Sequence, residues 1–243
     1  MTSRITVAVA ARVLTQLRRD HRTLALLLVL PCLLITLLWW MFQDTPVFDE
    51  VGPALLAMFP FIVMFLVTSV TTLRERSGGT LERLLTMPMG KLDFLLGYGV
   101  AFGLVAAVQS VLAVALSVGV LDLQVQGPVW LLVVVAVVDA VLGTALGLFV
   151  SAFAQTEFQA VQFMPAVVIP QILLCGLFVP RDQLPTVLGW VSDVLPLSYA
   201  VDAMQTLTQT AETADVWQDL AVVAGFAVAG LVLGAATLRR RTP

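Results

Sequence analysis

The residues that could carry out acid–base, nucleophilic or metal chemistry are few and widely separated in this sequence. It has one histidine, His21, one lysine, Lys91, and two cysteines, Cys32 and Cys175. Neither cysteine has a histidine or another cysteine at a metal-ligand spacing, so both are interpreted as small buried side chains. We therefore predict a chain without a metal site or a disulfide.

Nucleotide hydrolysis is also excluded by the pattern. A phosphate-binding loop needs backbone donors from glycines, a lysine for the β and γ phosphates and a Ser or Thr for magnesium. Lys91 follows Gly90, but Leu92 comes next and no glycine lies five residues before Gly90. The long apolar segments contain no histidine or lysine, which excludes Ser–His and Ser–Lys intramembrane proteases. We expect no enzymatic activity and no cofactor held by this chain.

Asp139 is the one ionisable residue near the middle of a long apolar segment. On a helix it shares a face with Gly143 and Gly147, and this small-xxx-small spacing permits close helix approach. The carboxyl could be a polar point on a substrate path, or the coupling group of an ion-driven transporter. It could also be a structural group that hydrogen-bonds to a neighbouring helix.

The composition identifies the elements that must hold these residues. Hydrophobic residues make up 59% of the 243 positions and charged residues 12%, against roughly 25% charged in soluble proteins. A bilayer core about 30 Å thick requires about 20 apolar residues per helix. Six segments of this sequence are apolar over about that length. We predict an all-α integral membrane protein forming a single transmembrane domain over residues 1–243. The predicted spans lie near residues 24–42, 51–73, 94–120, 129–153, 162–179 and 218–238.

The fifth span is the weakest of the six. It is short and contains Pro165 and Pro170, so we predict a kinked or broken helix supported by its neighbours. Aromatic residues on this span and on the second one are candidates for a substrate path, although such side chains more often face lipid or pack between helices. The candidates from the two spans, including one proline, are Phe61, Phe65, Phe163, Pro170 and Phe178.

The basic residues fix the expected orientation. Of the thirteen Lys and Arg residues, twelve lie on one side of the predicted spans and only Arg181 lies on the other. Cytoplasmic loops carry the excess of Lys and Arg, so we predict a multi-pass protein of the cytoplasmic membrane with both termini cytoplasmic. The charges are divided by side of the membrane, and we expect no nucleic-acid partner.

Residues 74–94 form the most charged stretch and are predicted to be cytoplasmic. Gly78 and Gly79 interrupt the chain after the second span, and residues 80–87 can then form two helical turns before Pro88. Leu81, Leu84 and Leu85 would share one apolar face of this helix. Such a helix could lie on the lipid headgroups or dock into a groove on a cytoplasmic partner.

Two other segments have amphipathic patterns. Val9, Arg12, Val13 and Leu17 predict an N-terminal helix in the membrane interface that leads into the first span. Residues 180–216, between the fifth and sixth spans, predict two short extracytoplasmic helices that are separated at Pro196 and pack on or dip into the outer leaflet.

The order of these elements resembles that of the type-2 ABC-exporter permeases, notably the daunorubicin-resistance kind, over nearly the whole chain. The loop RERSGGTLERLLTMPMGKLDFLLG is similar to the family pattern of a Glu, a Gly-Thr-Leu-Glu run, a Pro and a Gly that opens the next span. LPLSYAVDAMQTL is similar to the family's outer Pro-containing segment. The positions that fit the loop pattern are Glu75, Gly79, Thr80, Leu81, Glu82, Pro88 and Gly97.

The resemblance implies that residues 79–87 are a coupling helix seated in a cleft of a separate ATP-binding subunit. Leu81, Leu84 and Leu85 would be its buried anchors, and Glu75, Glu82 and Arg83 its polar contacts. The implied assembly has two permease copies, identical or homologous, and two ATP-binding subunits that hold ATP and magnesium. It would export an amphipathic or apolar substrate such as an antibiotic, drug, lipid or glycolipid. An ion-coupled transporter using Asp139 and a non-transporting membrane scaffold are the alternatives.

Overall fold

The computed structural model describes residues 3–43, 45–77 and 91–237. Within these ranges the regular structure is helical, with one 3₁₀ turn at Arg181–Gln183 and no strand. The helices are α1 Ser3–Arg19, α2 His21–Met41, α3 Val47–Ser77, α4 Lys91–Gly119, α5 Val129–Ser151, α6 Glu157–Leu174, α7 Thr186–Val194, α8 Pro196–Gln209 and α9 Ala214–Thr237.

Six of these helices are long and apolar enough to cross a membrane: α2, most of α3 and α4, and all of α5, α6 and α9. This confirms the prediction of an all-α membrane protein with six spans. The helix α1 before the first span is also present, as are two short helices between the fifth and sixth spans.

The fifth span differs from the prediction in position and continuity. It was predicted at residues 162–179 and as kinked or broken. The helix α6 begins at Glu157, ends at Leu174 and contains both prolines without a break, so the predicted break is wrong, while the predicted kink stays a prediction. It begins early because the Thr156 hydroxyl accepts a hydrogen bond from the Gln159 backbone N–H at 3.2 Å, which is an N-terminal cap. It ends early because Gly176, with φ of +92°, turns the chain away just after the helix.

The two ends of the bundle differ in charge, and we name them accordingly. The basic end holds α1, the start of α2 and the end of α3, with Arg12, Arg18 and Arg74. The acidic end holds the start of α3 and the α4–α5 connection, where the Gln124 backbone N–H donates to Asp49 at 3.3 Å. The α8 helix also lies at the acidic end. Its Leu207 carbonyl accepts a hydrogen bond of 2.8 Å from the backbone N–H of Gly127, which is in the α4–α5 connection.

The centre of the bundle is the contact of α5 with α3, α4, α8 and α9. A Cβ atom at Gly143 would collide with the carbonyl oxygen of Phe61, and one at Gly147 would lie 2.5 Å from that of Phe65. The two helices therefore pack backbone against backbone. On another side of α5, Gly230 of α9 approaches Ala145 closely, as small residues permit in membranes.

The helices α7 and α8 differ in environment although both have an amphipathic sequence. Val187 and Trp190 of α7 are exposed, whereas Val201, Met204 and Leu207 of α8 are buried against the bundle. The α8 helix packs on α3, α5 and α9, so its apolar stripe belongs to the protein core and not to a lipid-facing surface.

Arg181 organises the acidic end. Its guanidinium group donates to the Ser192 hydroxyl at 3.0 Å and to Asp193 at 2.7 Å, pairs with Asp202, and lies 5.0 Å from the centre of the Tyr199 ring. The Ser192 hydroxyl in turn donates to the last carbonyl of α6 at 2.8 Å. Burial is the largest influence on the pKa of Arg181 and lowers it, but Asp202, Tyr199 and Asp193 together outweigh burial, and the net shift is upward. The guanidinium therefore remains charged and joins three helices.

Gly147→Ala tests the close packing of α3 and α5. The added methyl group must displace the α3 backbone, and we expect a loss of stability of about 1–3 kcal/mol, as for overpacked cores. Thermal unfolding in detergent measures it. Gly225→Ala is the control, because nothing lies within 4 Å of a Cβ there and alanine favours the helix. Equal midpoints for the two variants would contradict the packing.

Arg181→Gln tests the hub at the acidic end. Loss of the charged hydrogen bonds should lower the unfolding midpoint and expose residues 181–195 to protease, with a cost of about 1–3 kcal/mol. Arg181→Lys keeps the charge but not the planar fork, and we expect an intermediate effect. The exposed neighbour Asp182→Asn should behave as the unchanged chain. An Arg181→Gln variant with the unfolding midpoint and protease resistance of the unchanged chain would show that the contacts of Arg181 do not stabilise the protein.

Candidate functional site

The predicted coupling segment joins α3 to α4 at the basic end. Of the residues assigned to it, Glu75 lies in α3 and is described by the structure. The others fall outside the described residues, and their predicted roles stay predictions. They are Gly79, Thr80, Leu81, Glu82, Arg83, Leu84, Leu85 and Pro88.

Glu75 is held by α1. Arg12 Nη2 donates to both carboxylate oxygens of Glu75, at 3.0 and 3.2 Å, and Gln16 Nε2 donates to one of them at 3.2 Å. The Glu75 side chain is only 13% exposed and that of Arg12 31%, so this contact is screened less by solvent than an ordinary surface pair. We call these three residues the clamp. It fixes α1 to the last turns of α3, just before the predicted coupling segment.

The packing beneath the clamp is equally close. A Cβ atom at Gly97 of α4 would lie 2.6 Å from Val9 of α1. Val9, Val13 and Leu17 form the buried face of α1 and pack with Tyr98 of α4. Gly97 also fits the loop pattern of the sequence. Its lack of a side chain lets α1 pass directly over the start of α4.

A second ion pair connects α3 with the fifth span. Arg74 donates from Nε and Nη2 to the two oxygens of Glu157, at 2.8 and 2.9 Å. Both side chains are more than half exposed, so solvent screens the pair and it contributes little to stability. Its geometry nevertheless places the start of α6 beside the end of α3. The coupling segment thus leaves from a helix that contacts both α1 and α6.

The candidate path residues on α3 and α5 lie in the packed core. Phe61, Phe65 and Asp139 are fully buried, and the two rings are 6.5 Å apart. Neither carboxyl oxygen of Asp139 has a hydrogen-bond partner among the described residues, and the same holds for the amide group of the buried Gln109. The structure therefore does not provide the neighbouring-helix hydrogen bond that one interpretation of Asp139 required.

The candidates on the fifth span lie elsewhere. Phe163 and Pro170 are exposed along α6, and Phe178 follows the helix at the acidic end and is 65% exposed. The five aromatic and proline candidates thus fall into a buried group and a surface group. They do not line one common path within a single chain.

Sequence reasoning did not predict that Glu75 is bound by two residues of α1. Arg12 and Gln16 are one helical turn apart on α1, and this i, i+4 spacing of two donors was the available signal. Arg74 was assigned only to the basic loop. Within the described part of the chain, no group of three His, Cys, Asp or Glu residues is placed to hold a metal ion.

Comparison with known proteins identifies the family of this chain. A family profile described as ABC-2 type transporter matches residues 5–208. The probable multidrug ABC transporter permease YbhR of Escherichia coli (strain K12) is 28% identical over 171 residues, which are 70% of this chain and 46% of that protein. The inner membrane transport permease YhhJ of the same strain is 27% identical over 147 residues, 60% of this chain and 39% of that protein.

A further relative is ABC transporter G family member 20 of Dictyostelium discoideum. It is 24% identical over 159 residues, which are 65% of this chain and 22% of that protein. The matched region is less than half the length of each of these relatives. Since the family profile covers most of the chain, from within α1 to within α8, this protein belongs to the ABC-2 type transporter family and is a membrane subunit of that type.

Proposed function

We propose that this subunit exports an amphipathic or apolar substrate, such as an antibiotic, drug, lipid or glycolipid, across the cytoplasmic membrane, driven by ATP hydrolysis in a separate subunit. The observation that carries the proposal is the clamp at Glu75. It joins the helix that leads into the coupling segment to α1. A loop that receives force from a partner needs such an attachment.

The partner is an ABC ATP-binding subunit, present in two copies, that holds ATP and magnesium. Residues 79–88 dock on it, with Leu81, Leu84 and Leu85 as the apolar contacts and Glu82 and Arg83 as the polar ones. Two features support this docking: the family of the chain and the position of the segment between α3 and α4 at the basic end. Under the positive-inside rule the basic end is cytoplasmic, where ATP is available.

The transmission path follows from the contacts of α3. Movement of the coupling segment displaces the end of α3, and the clamp makes α1 follow it. The Arg74–Glu157 pair makes α6 follow as well. Further along α3, the backbone contacts at Gly143 and Gly147 carry the displacement into α5, because closely packed helices move as rigid elements.

A second permease copy completes the transport route. The helices α2 and α6 both pack on α3, and only 17% of the apolar window of each is buried within one chain. Their exposed apolar faces are suited to a second copy, with substrate moving along the seam between the two. Phe163, Pro170 and Phe178 lie on this exposed side of the fifth span, where a substrate could contact them.

The ion-coupled alternative has less support. Asp139 is fully buried in a packed core, and the chain belongs to a family of ABC transporters. The buried carboxyl alone gives no route for an ion.

Leu84→Asp tests the docking of the coupling segment. A charge in the proposed apolar contact should prevent association, since one unpaired buried charge costs several kcal/mol. We expect an ATP-binding subunit to copurify with the unchanged chain in mild detergent and to be lost with the variant. Vanadate-sensitive ATP hydrolysis in the eluate reports it.

Leu188→Asp is the matched control for this experiment, because Leu188 lies on α7 at the acidic end and is partly exposed. It should retain the ATP-binding subunit. If both variants retain it, or if the unchanged chain never brings one, the docking proposal is wrong.

Charge reversal tests the clamp. Arg12→Glu and Glu75→Arg should each leave the ATP-binding subunit attached but reduce the ATP hydrolysis that the membrane subunit stimulates, because α1 no longer follows α3. The double variant Arg12→Glu/Glu75→Arg restores an opposite-charge pair and should recover much of that stimulation. Additive defects in the double variant would show that the two residues do not act as a pair.

A further inference from the structure

The face of α1 that turns away from the bundle carries arginines. The apolar face of this helix is buried against α4. On the opposite side, Arg4, Ala11 and Arg18 follow one another at intervals of seven residues, which is close to two helical turns. All three side chains are exposed. The helix therefore presents charge on the one face that the bundle does not cover.

The corner between α1 and α2 adds two more arginines. Arg19 is the last residue of α1 and Arg22 lies in the first turn of α2, and both are exposed. Asp20 lies between them, but its carboxylate accepts hydrogen bonds from the hydroxyl and the backbone N–H of Thr23, at 2.7 and 3.1 Å. Residues 18–22 thus hold three arginines against one carboxylate.

Four arginines at this end form no ion pair with any residue that the structure describes, in contrast to Arg12 and Arg74. We call them the arginine patch, and its members are Arg4, Arg18, Arg19 and Arg22. Their positive charge is not neutralised within the described part of the chain, so the patch has capacity for an anionic partner.

The position of the patch relative to the spans indicates which partner covers it. Leu26, one helical turn or about 6 Å beyond Arg22, is 58% exposed and begins a row of exposed apolar side chains along α2 that continues with Val29 and Leu33. That row faces lipid, because only 17% of the apolar window of α2 is buried in the protein. The patch is therefore continuous with a lipid-facing surface and lies where the hydrocarbon gives way to headgroups.

The packing of α1 gives the same depth. Val9 of α1 lies against Gly97 of α4, and Val13 and Leu17 belong to one apolar cluster with Phe102. These residues of α4 are in the first turns of Leu96–Gly119, the part of α4 that is long and apolar enough to cross a membrane. The helix α1 thus lies beside the beginning of a span and not beyond its end.

The chemistry of arginine restricts the headgroup. A guanidinium group is always charged and its planar fork matches two oxygens of a phosphate. Every phospholipid has a phosphate, but in phosphatidylcholine the trimethylammonium group offsets its charge. Several unneutralised arginines favour headgroups with a net negative charge, as basic segments beside a membrane do.

We propose that the arginine patch binds anionic phospholipids of the leaflet at the basic end. Arg18, Arg19 and Arg22 bind the phosphates, Arg4 extends the contact along α1, and acyl chains lie along the exposed side of α2. Because α1 also holds Glu75 through the clamp, the bound lipid fixes the helix to which the end of α3 is attached. The proposal goes beyond transport and does not depend on the ATP-binding subunit, because binding is measured on this chain alone.

The test compares two lipids that differ in net charge. The full chain is placed in nanodiscs of equal parts palmitoyl-oleoyl phosphatidylglycerol and phosphatidylcholine, and the retained lipids are counted by native mass spectrometry. We expect the unchanged chain to retain phosphatidylglycerol in preference by more than tenfold. Added sodium chloride should reduce the preference, since the patch is exposed and its charges are screened.

Substitutions within the patch test which residues carry the preference. Arg18→Gln and Arg22→Gln should each reduce it about fivefold, the factor expected for one basic residue near an anionic surface. Glutamine forms helices about as well as arginine, so both variants should fold. Arg18→Lys keeps the charge and should keep most of the preference.

A gain of charge separates binding from a loss of structure. Thr15 is exposed on the same side of α1 as Arg18, and its hydroxyl donates only within the helix, to the Ala11 carbonyl. Thr15→Arg should increase the preference for phosphatidylglycerol by about fivefold. Thr15→Gln is the matched control without charge and should behave as the unchanged chain.

Three outcomes would overturn the proposal. They are equal retention of the two lipids by the unchanged chain, an undiminished preference in the double variant Arg18→Gln/Arg22→Gln, and displacement of phosphatidylglycerol by inorganic phosphate at an ionic strength at which sodium chloride leaves it bound. The last would show that the patch binds free phosphate and not a membrane lipid.

Discussion

The approach of α3 and α5 at Gly143 and Gly147 is the contact on which the rest of the structure depends. In a bilayer, lipid tails are as apolar as the side chains, so helices associate through close packing and not through the exclusion of water. At these two glycines the backbone of α5 meets the carbonyl groups of Phe61 and Phe65 directly. The core is therefore built around one rigid pair, and α4, α8 and α9 pack on it.

In the proposed mechanism, the basic end of α3 moves against this rigid pair. The last turns of α3 extend beyond the packed core and hold Arg74 and Glu75, which attach the peripheral helices α6 and α1 by ion pairs. Besides these ion pairs, α6 packs on α3, and α1 packs on α4 through Val9 and Gly97. A force applied to the proposed coupling segment would thus move α1 and α6 relative to α5 and change the exposed side of the bundle. At the opposite end, Arg181 joins α6, α7 and α8 and limits how far that end can separate.

The sequence predicted what local pattern determines and missed what depends on contacts distant in the chain. Apolar length predicted the six spans. The spacing of Val9, Val13 and Leu17 predicted the apolar face of α1 in the membrane interface, and the structure buries that face against α4. The start of α6 was missed because its cap, Thr156, precedes the apolar run that defined the span. The Arg12–Glu75 contact joins residues 63 positions apart, and no periodicity connects them. The burial of α8 was missed for a similar reason, since an amphipathic stripe does not reveal whether lipid or protein covers it.

Site-directed crosslinking of the coupling segment is the most direct test of the central claim that an ATP-binding subunit docks there. A photoreactive amino acid would replace Leu84 in one chain and Leu188, at the acidic end, in another, and both would be irradiated in native membranes. The account predicts a covalent adduct with an ATP-binding subunit from position 84 and none from position 188. Adducts from position 84 with lipid alone, in membranes where the ATP-binding subunit is present, would contradict it.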